Sequence, residues 1–358
     1  MKENQGAIKL VSSGQKILFV FSTFLFSNLM VVAEERGTLE LQWENDTFLN
    51  EPFGIGDYND RHYTNGLLLK WMGADGDEAE SFAGSLMKKI WPLRMETERV
   101  RTGFSFGHQM YTPEIISTDT RFAVGASPTG DQLQVNDQPY AGYLFAELLG
   151  ERRGMASFLG GKKLPARDRF ELSLGLVGPG AGGHDIQRTW HKAFLGPRPD
   201  GWSHQLNNEI TLNVHADRTW LYSSDDGEGL YFDVMPNVGV DLGNLSTRLT
   251  AGLEVRVGLG QIHDFLLPSM ERQSGDFGAY LYASAESWLV GQNIFLDGNT
   301  FSSSHSVNKN TFVSEVKLGF GINGDFGDLD VAWVRRSDEF DLQTEADTYL
   351  SASFTMRY

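Results

Sequence analysis

Four short segments carry more polar side chains and glycines than a structural wall requires. They are Trp43-Glu44-Asn45-Asp46-Thr47-Phe48, Asn59-Asp60-Arg61-His62-Tyr63-Thr64-Asn65-Gly66, Asn136-Asp137-Gln138-Pro139-Tyr140-Ala141-Gly142, and Gly178-Pro179 running through Gly182-Gly183 to His191. Cysteine is absent, which excludes disulfides, thiolate nucleophiles and thiolate-bound metals together. Any catalysis then falls to His, Ser, Thr or carboxylates. No Gly-x-Ser-x-Gly nucleophile elbow is expected, so an acyl-serine route has no support. Hydrolysis by activated water needs a base and a group that stabilises the oxyanion. His191 is of the right type for the base, because a neutral imidazole accepts a proton at physiological pH. Gln187 precedes it by one helical turn and shares its face. Asn45 and Asp46 offer hard oxygens to a cation that would polarise a carbonyl. Plainer roles compete: Asn45 and Asp46 start a loop, Thr64 satisfies a strand end, and His191 packs beside Trp190 and Phe194. His62, His108, His184, His204 and His215 read as structural or lumenal.

These residues need a scaffold that gathers them at one end, and the rest of the chain spells one. Segment after segment alternates apolar with polar residues at period two, the pattern of strands with two different faces. In the last strand Leu350, Ala352, Phe354, Met356 and Tyr358 share one face, opposite Tyr349, Ser351, Ser353, Thr355 and Arg357. From Arg248 to Gly260, Leu249, Leu253 and Val257 face one way and Glu254 and Arg256 the other, so the charges require a wet lumen or partners within it. Runs of about ten residues suit a tilted wall crossing a bilayer, whereas sandwich strands are nearer five or six. Strands are expected near 38–46, 63–72, 101–111, 140–152, 168–178, 207–218, 229–241, 246–260, 276–291, 312–323, 328–338 and 346–358. Twelve is an even number and closes an antiparallel barrel. The expected fold is therefore all-β, an integral outer-membrane barrel with a short helix in an extracellular loop.

The N-terminus has a different character. Lys2, Lys9 and Lys16 precede an apolar run from Ile17 to Val32, and Ala33 then meets Glu34-Glu35-Arg36, the layout of a cleavable secretory signal. The expected organisation is a signal peptide over 1–33 and one barrel domain over 34–358. With both termini in the periplasm, the connections 47–62, 112–139 and 179–206 lie at the cell surface, and the turn near Asn244 is unusually short. Two helices are expected, Ala79 to Trp91 on the periplasmic side and Asp185 to Leu195 at the mouth.

The four polar segments, in this order, together with Tyr111-Thr112-Pro113, resemble the outer-membrane lipid A 3′-O-deacylase family. The resemblance covers nearly the whole mature chain. It implies a twelve-stranded barrel that removes the 3′-linked acyloxyacyl chain of lipid A with calcium. Position by position it implies functional roles for Asn45, Asp46, Thr64 and His191, with Gln187 beside them and Ca²⁺ on Asp46 and Asn45. One departure is Gln138, where the family often has arginine, and it bears on a local loop contact.

The formal net charge of −17 argues against nucleic acid as a partner. Against that background Arg188, Lys192 and Arg198 form a local basic group, suited to the phosphates of lipid A in lipopolysaccharide. The expected setting is the outer membrane of a Gram-negative bacterium, and the expected state a monomer. Two other functions fit the same scaffold: a passive pore or binding barrel, served by Glu254, Arg256, Glu315 and Lys317, and an outer-membrane phospholipase.

Overall fold

A computed structural model describes residues 37–46, 60–74, 94–121, 125–194, 196–224, 229–260, 277–324 and 327–358. The expected signal peptide and the expected helix from Ala79 to Trp91 lie outside these residues. Twelve long antiparallel strands form a closed barrel. They are β1 (Thr38–Asn45), β2 (His62–Met72), β3 (Glu96–Thr112), β4 (Ala141–Ser157), β5 (Lys163–Val177), β6 (Glu209–Trp220), β7 (Leu230–Gly243), β8 (Ser246–Leu259), β9 (Gly278–Asn293), β10 (Phe312–Gly324), β11 (Gly327–Arg336) and β12 (Asp347–Arg357). Sequential strands pair, and β1 returns to β12 from Thr38↔Arg357 to Asn45↔Leu350, closing the ring. The two-residue strand Tyr222–Ser223 only extends the edge of β7.

The period-two pattern maps onto the wall. Leu41, Leu67, Phe106, Leu148, Leu174, Ile210, Leu249, Leu281 and Phe320 point outward, with Ile210 reaching 69 % exposure. In lipid this exposed apolar belt is buried surface, and the opposite face carries the charges. Glu315 in β10 is ion-paired to Lys317 at 3.1 Å and to Arg336 at 2.8 Å, and accepts from Tyr349 at 3.1 Å. The Arg336 guanidinium also lies over the Trp288 ring, 5.0 Å from its centroid. Arg256 pairs with Asp233 at 3.5 Å.

The short turn at Asn244 holds through its side chain. The β6–β7 ladder ends at Asn213↔Gly243. Beyond it, Asn244 Oδ1 accepts the Leu212 amide at 2.8 Å and Nδ2 donates to the Ile210 carbonyl at 3.0 Å, continuing the ladder where backbone runs out. Strands β3, β4 and β5 extend further than expected at the periplasmic end, where the expected fourth strand stops at 152, within Glu151-Arg152-Arg153. Both faces carry charge there: Glu151 meets Arg101 and Arg153 in the lumen, while Arg152 and Arg218 grip Asp168 on the other face at 2.6 and 2.5 Å. A strand charged on both faces has no alternation to read.

Two helices sit at the extracellular end. Helix α1 (Gly183–Phe194) follows β5, beginning two residues before the expected start, and α2 (Ile294–Asp297) follows β9. Phe295 of α2 stacks on Tyr111 with centroids 3.8 Å apart, capping a lumenal cavity of about 340 Å³.

Glu315→Ala is expected to leave buried Arg336 with Glu339 as its remaining carboxylate and part-exposed Lys317 without Glu315, and to cost about 1–3 kcal/mol. Urea unfolding in detergent, followed by the heat-modifiable gel shift of the barrel, measures it; a variant as stable as wild type contradicts the ion-pair account.

Candidate functional site

Along β3, Phe104 and Phe106 point to lipid, so His108, Met110 and Thr112 continue the same outward row toward the cell surface. Along β1, Leu41 and Trp43 lead in the same way to Asn45. Polar groups therefore stand on the outer wall, above the apolar belt, where an uncovered polar group facing hydrocarbon is costly. They are covered: Asn45, Thr64, His108 and Thr112 are all buried.

A bulge makes part of the site. In the β2–β3 ladder Tyr63 pairs with Tyr111 and Asn65 with Met110, leaving Thr64 as the extra residue. Bulges re-aim side chains, and here Thr64 Oγ1 lies 2.8 Å from Thr112 Oγ1 on the outer row. The Thr64 carbonyl accepts Asn45 Nδ2 at 3.2 Å and the Asp46 amide at 3.3 Å. The Arg61 amide donates to Asp46 Oδ2 at 2.8 Å. Asn45, Asp46 and Thr64 are thus brought together.

Helix α1 lies against this wall. Glycine is required where it touches: a Cβ on Gly183 would come within 2.6 Å of the Trp202 ring, and one on Gly142 within 3.0 Å of the Gly183 amide. His108 Nε2 donates to the Ala181 carbonyl at 3.0 Å, pinning the turn before the helix to β3. Met110, Ile116, Tyr140 and Trp202 form the apolar seat.

The buried face of α1 presents Gln187 and His191, one turn apart as the spacing implies. Both meet Asp60: Gln187 Nε2 donates to Asp60 Oδ2 at 2.6 Å, and His191 Nε2 lies 2.6 Å from the same oxygen. The Trp202 indole N–H, a donor only, binds Gln187 Oε1 at 2.6 Å and fixes which end of the amide faces Asp60. His191 Nδ1 donates to the Pro197 carbonyl at 2.5 Å and Nε2 donates to the Asp60 carboxylate, so both ring nitrogens carry hydrogen and Nε2 becomes basic only when its proton is lost. Burial pulls the His191 pKa down, but the hydrogen bond and charge of Asp60, with the Pro197 carbonyl, outweigh it and the net shift is upward. Burial, then the Asp60 and Asp347 charges, push the Asp46 carboxyl well above the usual range against the Arg61 amide.

Asp60 joins the two groups of residues and was not singled out from sequence, although it belongs to the second polar segment. Arg188 and Lys192 are exposed on α1, away from its buried face, and Arg198 is exposed and paired with Asp200 at 3.0 Å. None of the three converges on Asp60. Among the described residues no three His, Asp or Glu side chains gather at metal-binding spacing, so an ion beside Asp46 would draw on amide and carbonyl oxygens too. Gly103-Phe104-Ser105-Phe106-Gly107 does spell Gly-x-Ser-x-Gly, correcting the expectation that the pattern is missing. It is no elbow, because it lies within β3 and Ser105 points away from the outer row to Glu147 at 2.6 Å. The other histidines hold structure: His204 faces the Asp131 carbonyl, and His215 faces Asp217 and Asp241 in the lumen.

Fold and site together define an outer-membrane barrel with a roofed polar site on the outside of its wall. The family model described as outer membrane protein LpxR matches residues 18–358, and the chain belongs to that family. The structure of LpxR from Salmonella typhimurium is similar, with a TM-score of 0.66 and 18 % identity over 89 % of this chain and 99 % of that one. The β domain of the Bordetella autotransporter BrkA gives a TM-score of 0.40 at 10 % identity, covering 90 % of this chain and 98 % of that one. None of the curated proteins matches the sequence. The protein resides in the outer membrane of a Gram-negative bacterium.

Gly183→Val is expected to lift α1 from the wall while the barrel still folds, so limited proteolysis should cut the 183–205 segment at least about tenfold faster. Unchanged cleavage rates would place the helix elsewhere.

Proposed function

We propose that the protein is a lipid A 3′-O-deacylase that removes the 3′-linked acyloxyacyl chain by attack of water activated at His191. The observation that carries this reading is the placement of the site. Asn45, Thr64, Gln187 and His191 lie on the outer face of the wall, directly above Leu67, Phe106 and Leu144, which face the acyl region of the outer leaflet. An ester of an outer-leaflet lipid meets such a site without entering the lumen.

Once it has released the proton it shares with Asp60, His191 Nε2 takes one from water, and the Pro197 carbonyl holds the ring in the tautomer that allows it. Gln187 and Asp60 fix the ring in place and set the pH at which Nε2 becomes free of its proton. The donor set fits a hard cation. Asp46 is a buried carboxylate beside a second one, and Asn45, with Nδ2 turned to the Thr64 carbonyl, is an amide neighbour of the same hard-oxygen chemistry. Calcium would be held by Asp46 and Asn45, and when bound supplies charge to polarise the ester carbonyl. Arg188, Lys192 and Arg198 are exposed beside the site and would suit the phosphates of lipid A.

The passive-pore reading finds less support. The lumenal charges Glu254, Arg256, Glu315 and Lys317 are paired with one another or their neighbours, and Phe295 stacks on Tyr111 in the lining of the lumenal cavity. A phospholipase would present its ester at the same depth, and mass spectrometry of lipid A and phospholipids from cells with and without the protein separates the two.

His191→Ala is expected to keep the fold and lower lipid A deacylation roughly 10²- to 10⁴-fold, the usual loss for a general base. Asp46→Ala should resemble it and Thr64→Ala be milder. Asp60 raises the His191 pKa, so Asp60→Asn lowers it, and the rise of rate with pH moves to more acid pH. A folded His191→Ala protein working within a few-fold of wild type makes His191 a packing residue.

Excess EDTA is expected to abolish deacylation and added calcium to restore it, read by the same mass spectrometry. Full activity in EDTA rules out the metal.

A further inference from the structure

The turn that carries Asp60, Arg61 and Thr64 passes through His62, whose backbone adopts φ 53°, a left-handed conformation uncommon outside glycine. Such a residue persists where its surroundings over-determine it. The ring is 2 % exposed. Nδ1 lies 2.5 Å from Asp347 Oδ1 and Nε2 lies 3.2 Å from Asp137 Oδ1. A carboxylate oxygen only accepts, so both ring nitrogens carry hydrogen and a cation stands between two anions. Phe340 meets the ring edge-on with centroids 5.2 Å apart.

Each contact comes from a different part of the extracellular end. Asp137 belongs to the β3–β4 connection, Phe340 to the β11–β12 connection, and Asp347 opens β12. Asp137 passes the tie on: Oδ2 accepts the Glu114 amide at 2.8 Å, and its carbonyl accepts His305 Nε2, from the β9–β10 connection, at 2.9 Å. Gln343 adds a second donor to Asp347 Oδ1 at 3.2 Å.

We propose that His62 is a positioning residue, the centre of a clamp that fixes the 60–64 turn so that Asp60 faces His191 and the Arg61 amide faces Asp46. Its catalytic consequence rests on the deacylase reading above. His62 lies opposite Thr112 in the β2–β3 ladder, and its ring is held by Asp137 and Asp347 rather than by Asp60 or His191. It acts through the turn, where a displacement of about 1 Å is enough to cost roughly 100-fold in rate.

His62→Asn tests this, because asparagine tolerates the left-handed backbone but is too short to span both carboxylates. The folded, heat-modifiable variant is expected to lose roughly 10- to 100-fold in kcat for lipid A, the range for a removed supporting partner. KM should stay within about two-fold, since the wall that meets lipid is unchanged. Hydrogen exchange read by mass spectrometry should show the amides of residues 60–65 exchanging at least about tenfold faster, with the strands elsewhere unaffected. Should His62→Asn not fold, Asp137→Ala removes one anchor with the ring in place and is expected to raise exchange over the same residues. Unchanged exchange at 60–65, or unchanged kcat in an active protein, overturns the clamp. Wild-type protein that does not deacylate lipid A defeats the functional reading instead, and the exchange measurement then decides the clamp alone.

Discussion

Hydrocarbon offers no hydrogen bonds, so a wall that faces lipid has to satisfy every backbone N–H and C=O within itself. Here that is done by a ladder that meets its own beginning, and much else follows from where it meets. The closing seam runs between β1 and β12, and both strands reach the extracellular rim in residues of the site or its support: Asn45 ends β1 and Asp347 opens β12. A register slip of one residue at the seam would turn Asn45 inward and Glu44 toward lipid. Closure therefore sets the geometry of the polar rim as well as the stability of the wall.

A polar site on a lipid-facing surface is a contradiction that the chain resolves locally. The bulge at Thr64 brings a hydroxyl and a carbonyl to the outer row without breaking the ladder on either side. Helix α1 then covers the rim, and its close approach depends on Gly142 and Gly183 having no side chains. The same cover carries Gln187 and His191, so roof and chemistry are one element. Immediately toward the membrane, Leu67 and Phe106 resume the apolar belt. The distance from polar rim to hydrocarbon is about one pair of strand residues, or roughly 7 Å along the wall.

The strands were legible because a barrel strand writes its two environments in alternation, as Leu249 to Leu259 shows. The pattern fades across Glu151-Arg152-Arg153, where paired charge on both faces removes the contrast, and β4 runs on to Ser157 past the expected end at 152. Asn45, Asp46, Thr64, Gln187 and His191 were legible as short motifs, and the structure brings them to one rim. What the sequence could not show was the joint between them. Asp60 binds Gln187 across a separation of 127 residues, and Trp202 sets the amide orientation from beyond the helix. Contacts of that kind have no local signature. The basic group at Arg188, Lys192 and Arg198 was legible as charge, but helical phase puts the first two away from the buried face.

The electrostatics of the mouth connect folding to the proposed chemistry. Asp46, Asp60 and Asp347 are all buried and close enough for the last two to raise the pKa of the first. Buried like charges are unfavourable unless each finds a compensating partner. Asp60 has the His191 imidazole and Asp347 that of His62, each on an element that must dock before the carboxylate is neutralised. Asp46 accepts the Arg61 amide, and burial with the two neighbouring carboxylates still displaces its carboxyl toward the protonated form. A divalent cation at Asp46 would lower the energy that its two neighbours raise.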